Sequence, residues 1–239
     1  MLTMSPVLSA AQPLTKPTKV STATSTKSTP SKKTSTTSTS SDMSTTSTSS
    51  TSSSPATGTI ADHDYVDLAL PSGIKWATTN VGANSPEEYG DYYAWGETST
   101  KESYDTINCS TWRKDVSDIG GTSRDVARIE WGSPWRMPTE AEFDELFDWH
   151  NCTCAWTIQY GHEGYKVTSI RNGNSIFLPA AGWRNGTSLN IAGQYGYYWS
   201  STPYGGDTRN ACIFNFYSNY HYTFWNYRSF GHTVRPVAE

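Results

Sequence analysis

Aromatic residues are confined to one part of this chain. All 10 Trp, 15 Tyr and 7 Phe follow Asp64, whereas Ser21 to Thr59 is almost entirely Ser and Thr with scattered Lys and Pro. A stretch without large apolar side chains cannot offset the entropy lost on ordering its backbone, so it is expected to be disordered. The aromatic remainder supplies enough apolar surface for a single core. The expected organisation is therefore a Ser/Thr-rich linker or attachment arm over 1–60 and one folded domain over 61–239.

Charge divides at the same place. Up to Ile60 there are five lysines against Asp42, a net +4, which leaves −8 for the rest of a chain whose total is −4. An acidic domain lacks the clustered cations that phosphate contacts require, which argues against nucleic acid as a partner. No apolar run is long enough to span a bilayer. Leu2 to Leu14 is weakly apolar but lacks the basic and continuous apolar regions of a Sec signal, so export is expected by another route, phage assembly and lysis being one.

Four cysteines, Cys109, Cys152, Cys154 and Cys212, form no disulfide framework, and Cys152 and Cys154 are too close for an ordinary bridge. A His150/Cys152/Cys154 metal cluster lacks the usual two-residue gap between thiolates, so free or partly buried thiols are expected and no metal or cofactor is assigned.

Turn residues and apolar alternation predict an α+β fold of short antiparallel strands with one or two helices. Tyr65–Leu70 and Ile74–Ala77 flank Pro71-Ser72-Gly73 as a hairpin. Asp125–Trp131 reads as a short helix. Thr139 with Glu142 three residues on is a capping box, and Phe143, Leu146 and Phe147 share one face of the helix that follows, its carboxylates being cap and solvated face. Further strands are expected at Tyr165–Thr168, Ser175–Leu178, Tyr197–Ser201, Ala211–Phe216 and Thr233–Val237.

The candidate site lies near the C-terminus. Tyr217, Tyr220, His221, Tyr222, Phe224, Trp225, Tyr227 and Phe230 place eight rings within fourteen residues, interleaved with Asn219, Asn226, Arg228 and Ser229. A buried strand would favour Val, Ile and Leu. This mixture matches the Tyr, Ser, Asn and Arg palette of adaptable binding surfaces, in which tyrosine supplies area and a hydroxyl at low rotameric cost. The alternative is that the rings pack the domain, and Phe214 and Phe216 are expected to do so. Tyr204, Gly205, Asp207, Arg209 and Asn210 are read as an exposed loop beside the face, with His232 completing it. No nucleophile elbow or zinc-protease helix is present, so no catalytic residue is assigned.

Several phrases resemble a known family. Tyr-Val-Asp-Leu-Ala-Leu-Pro-Ser-Gly-Ile-Lys-Trp-Ala at 65–77, Glu-Tyr-Gly-Asp-Tyr-Tyr-Ala-Trp-Gly-Glu at 88–97 and Trp-Arg-Met-Pro-Thr-Glu-Ala-Glu-Phe at 135–143 are three of them. Phe-Leu-Pro-Ala-Ala-Gly at 177–182, Tyr-Tyr-Trp-Ser-Ser at 197–201 and Val-Arg-Pro-Val at 234–237 complete the set. In this order they resemble the Fibrobacter-type major paralogous domain of secreted gut-bacterial proteins, itself similar to formylglycine-generating enzymes. The resemblance implies a C-type lectin-like fold. It does not carry over the oxidoreductase chemistry, whose paired C-terminal cysteines are reduced here to Cys212. Nor does it carry over calcium-dependent sugar binding, whose Glu-Pro-Asn, Gln-Pro-Asp and Trp-Asn-Asp strings do not occur.

A second resemblance is to the variable proteins of diversity-generating retroelements, which rewrite adenines in the C-terminal part of C-type lectin-like genes. Randomised AAC codons cannot yield Lys, Glu, Gln, Met or Trp, and Tyr195 to Val237 contains no Lys, Glu, Gln or Met. Within Tyr204 to Thr233, Trp225 departs from the pattern and is assigned to the scaffold or to a different template codon. The resemblance implies a non-catalytic receptor-binding protein on a phage virion or bacterial surface, directed at a cell-surface protein or glycan. The alternatives are a surface domain of fixed specificity for glycan or protein and, last, a formylglycine-generating-like oxidoreductase. A homo-oligomer is compatible with display, although no heptad repeat enforces one.

Overall fold

Thr57–Ile60 (β1) and His63–Asp67 (β2) form the first antiparallel pair, turning through Ala61 and Asp62, both with positive φ. A computed structural model describes residues 57–239. The expected disordered arm lies outside the described residues up to residue 56. Its last four residues belong to the sheet instead, because their main chain pairs with β2. Strand β1 thus begins four residues upstream of the boundary expected at Ala61.

The hairpin expected around Pro71 is present, as β2 also pairs with Lys75–Ala77 (β3). Lys75 Nζ meets Asp67 Oδ2 at 2.6 Å across it. On the far side β3 pairs with Val237–Ala238 (β12), giving the order β1-β2-β3-β12. Of the strand expected at Thr233–Val237 only this end is regular. Upstream, the carbonyls of Thr233 and Val234 accept from Trp199 and Val81, so alternate groups serve different neighbours rather than one ladder.

Two helices follow. Val126–Trp131 (α1) is capped by Asp125, whose side chain accepts from Arg128 N–H. Glu140–Phe147 (α2) carries the expected capping box, with Thr139 Oγ1 accepting from Glu142 N–H at 3.2 Å and Glu142 Oε2 from Thr139 N–H at 2.8 Å. Phe143, Leu146 and Phe147 are buried as the spacing requires. Glu142 and Glu145 are not simply solvated, since Glu142 also grips Arg136 and Glu145 accepts from Ser72.

Cys152–Gln159 (β4), His162–Ser169 (β5) and Ser175–Pro179 (β6) form one antiparallel sheet. Trp183–Asn185 (β7) and Ser188–Asn190 (β8) form a small hairpin. Tyr195–Pro203 (β9), Asn210–Tyr217 (β10) and Tyr220–Tyr227 (β11) form the sheet that carries the candidate site, in the order β11-β10-β9. The described residues thus make a β-rich α+β fold in which every strand pair is antiparallel.

Helix α2 packs on the inner face of this last sheet. Phe143 and Phe147 stack on Phe214 at 5.1 and 3.9 Å between centroids, and Tyr165 stacks on Phe216 at 4.8 Å. Gly196 makes room for Phe216, as a Cβ there would lie 2.1 Å from the ring. A second cluster surrounds the fully buried Trp95, Trp135 and Trp199. Each of their indole N–H groups reaches a main-chain carbonyl, at Ser200, Ile60 and Tyr93 respectively. These bonds offset the cost of burying each indole N–H.

Candidate functional site

The two faces of the β9–β10–β11 sheet differ in what they carry. Phe214 and Phe216 of β10 point inward and are buried, as the sequence suggested. The opposite face follows from register. Tyr217 lies between Tyr195 and Tyr220, Asn215 between Tyr197 and Tyr222, and Ile213 between Trp199 and Phe224. Side chains two apart on a strand share a face, so Tyr220, Tyr222 and Phe224 form one outward row.

The rings of this row touch. Centroids are 5.0 Å apart for Tyr195–Tyr217, 6.0 Å for Tyr217–Tyr220, 5.5 Å for Tyr220–Tyr222 and 5.9 Å for Tyr222–Phe224. Phe224 stacks on Trp225 at 4.9 Å, and Trp225 meets Tyr204 at 5.5 Å. Tyr220 is 56% and Phe224 49% exposed, values far from those of core residues. Tyr227 is also exposed and lies edge-on to Trp112 and to the partly buried Phe230, which rests on Trp183.

The face is electrically neutral. Burial raises the Tyr222 phenol and pushes that of Tyr197 up to about 12, so both hydroxyls stay protonated at neutral pH. At its centre Asn215 is buried, its Nδ2 donating to Gly196 O at 3.0 Å. Flat apolar rings with neutral hydroxyl tips suit contact with sugar faces or with protein side chains.

Beside the row, the loop joining β9 to β10 is held by Arg209, whose Nε lies 3.0 and 2.8 Å from the two Asp207 oxygens. That pair holds the partly exposed Asp207 carboxyl down to about 2. Gly205 and Gly206 at its tip are exposed. An open cleft of about 480 Å³ separates the loop from Asp115–Ser117, with Tyr204 and Arg228 among its lining residues.

Not every sequence candidate reaches this surface. Asn210, Ser229 and His232 are buried and are removed from the ligand face. Asn210 opens β10 on its core-facing parity, and His232 is enclosed between Tyr197 and Trp199. His221 is half-buried and turned inward, 4.9 Å from Phe147, because it has the opposite parity to Tyr220 and Tyr222. Asn219 is exposed in the turn, and Asn226 is partly exposed, its Oδ1 accepting from Tyr227 N–H.

Tyr195, Tyr197, Trp112 and Trp183 were not among the candidates. The i, i+2 spacing of Tyr195 and Tyr197 signalled a shared strand face, but nothing local marked Trp112 or Trp183. Trp225, assigned to the scaffold or to a different template codon, is 37% exposed and stacked on Phe224.

All four cysteines are free, and burial pushes Cys152 up to about 11 and Cys154 to about 12. His150 is exposed and bonded to Asp148. Among the described residues no helix is long and apolar enough to cross a membrane.

A domain of unknown function, DUF8237, matches residues 165–237, which include all three strands of the aromatic sheet. No curated protein and no solved structure matches the chain.

Proposed function

We propose that this chain is a non-catalytic binding protein whose C-terminal aromatic sheet face engages a cell-surface protein or glycan. The observation that carries the reading is the row Tyr220, Tyr222 and Phe224, with the exposed Trp225, of opposite strand parity, stacked against Phe224. These are contiguous exposed rings on a sheet whose inner face already has a complete aromatic core. Large exposed aromatic patches are uncommon on proteins without a partner, and such rings dominate the energy of binding surfaces.

The scaffold is read as C-type lectin-like from the family phrases, and the face as a diversified variable region from its residue palette. On that reading the protein works outside the cell, on a phage virion or bacterial surface. The domain positions the rings, and the ligand differs between variants. The test is binding of the full chain to a panel of gut-bacterial cells and isolated surface glycans, beside a Tyr220→Ala/Tyr222→Ala/Phe224→Ala variant. Lost binding with an unchanged melting temperature supports the reading. Retained binding, or collapse of the fold, overturns it.

A further inference from the structure

The outer edge of β11 has a hydrogen-bonding pattern that follows from its neighbours. Tyr195 O accepts from Gly182 N–H at 2.7 Å and Trp199 N–H donates to Thr233 O at 3.1 Å. Tyr195 and Trp199 therefore turn these main-chain groups away from β10. The alternation of an antiparallel ladder then bonds Gly196 and Tyr198 to Phe216 and Phe214, and bonds Tyr217, Asn215 and Ile213 to Tyr220, Tyr222 and Phe224. His221, Thr223 and Trp225 are left facing outward. Among the described residues their main-chain N–H and C=O groups have no hydrogen-bond partner.

Exposed edges are normally blunted by lysine, proline or a bulge. Tyr220–Tyr227 contains no charged residue and no proline, and its ladder to β10 runs without a register shift. Three donor–acceptor pairs, one at every second residue, are matched by another extended main chain and not by a saccharide. The flank of this edge is acidic. Asp144 Oδ1 on α2 accepts from Thr223 Oγ1 at 3.0 Å. Glu140, Asp144 and Asp118 all lie near enough to act on the Cys212 thiol, and Cys212 pairs with Trp225 in register. None of these three carboxylates is in an ion pair among the described residues. A second copy docking edge to edge would bring like charges together, whereas a basic segment would neutralise them.

We propose that the open edge of β11 docks an extended basic peptide segment as a fourth strand of this sheet. Alternate Lys or Arg side chains face α2, and the intervening apolar side chains continue the row of Tyr222 and Phe224. This rests on the reading of the aromatic face as a ligand surface and narrows the ligand to polypeptide.

The experiment titrates the full chain with a capped peptide of alternating Lys and Val, followed by calorimetry. The controls are a Glu/Val counterpart and a Lys/Val peptide N-methylated on its pairing amides. The basic peptide is expected to bind saturably, and both controls about tenfold more weakly or worse. Thr223→Pro removes an outward N–H without touching the β10 ladder and is expected to weaken the basic peptide about tenfold. Asp144→Lys should weaken the preference for Lys/Val over Glu/Val, since Glu140 and Asp118 remain. Absence of saturable binding by the basic peptide, equal binding of its N-methylated form, or a dimer that Thr223→Pro abolishes would overturn the proposal. Should Thr223→Pro not fold, the N-methylated peptide decides. Cell or glycan binding that survives Thr223→Pro but not the triple alanine variant would sink the edge proposal and leave the aromatic face standing.

Discussion

Arg235 Nε donates to Asn80 Oδ1 at 2.8 Å, joining two residues 155 positions apart inside the core. The same guanidinium donates to the carbonyls of Ala77 at 3.2 Å and Phe177 at 2.9 Å, and among the described residues no carboxylate pairs with it. Burial lowers its pKa to about 10, so it remains charged at neutral pH and is held by acceptor oxygens alone. One side chain thus ties β3, the Asn80 loop and β6 to the C-terminal segment.

Arg235→Met should therefore be severely destabilising, because it orphans several buried acceptors at once. The expected loss is about 3 kcal/mol or more. Urea unfolding at neutral pH measures it. Arg235→Lys, which reaches fewer acceptors, should recover part of the loss.

The two faces of the aromatic sheet should separate in stability. Phe214→Ala opens a cavity beneath Phe143 and Phe147 and is expected to cost about 3–5 kcal/mol. Tyr222→Ala and Phe224→Ala should each cost less, about 1 kcal/mol, since both rings already leave more than a third of their surface in water. Thermal and urea melts of the three single variants check the order.

His232 sets a pH dependence. Burial lowers its pKa to about 3 and neither ring nitrogen has a partner among the described residues, so the folded protein holds it neutral. Between its ordinary value and that depressed one the unfolded chain binds the extra proton. Its contribution is fully present above about pH 6.5 and is lost as pH falls, by up to about 1.4 kcal/mol per unit. Stability measured from pH 7.5 to 4.5 should fall less steeply in His232→Phe.

Cys152, Cys154 and Cys212 should be slow nucleophiles. Burial first, with a neighbouring thiol or carboxylate adding to it, holds their thiols at about 11, 12 and 12. Their alkylation by iodoacetamide at pH 7.5, followed site by site by mass spectrometry, should run about a hundredfold or more slower than in denaturant.

Local signals made much of this legible in advance. The capping box and the spacing of Phe143, Leu146 and Phe147 specify α2 because cap and apolar stripe are both set within one short segment. Phe214 and Phe216 could be assigned inward because they alternate with Asn215 and Tyr217. What failed was nonlocal. Asn210, Ser229 and His232 look like surface residues by type, and only neighbours far along the chain bury them. Strand β11 reads as a cluster of rings rather than a strand because its inward positions, His221 and Thr223, carry no aliphatic signal. Trp225 was set aside by codon logic, whereas its exposure is a matter of packing.

The turn between β10 and β11 consists of Ser218 and Asn219 alone, closing directly onto the Tyr217–Tyr220 pair. A single residue inserted into β11 would exchange its two faces, turning His221 and Thr223 to solvent and driving tyrosine rings against Phe214. This hairpin can therefore tolerate wide changes in the chemistry of its outward side chains while tolerating almost no change in its length. Variation can proceed here by substitution and is closed to insertion and deletion.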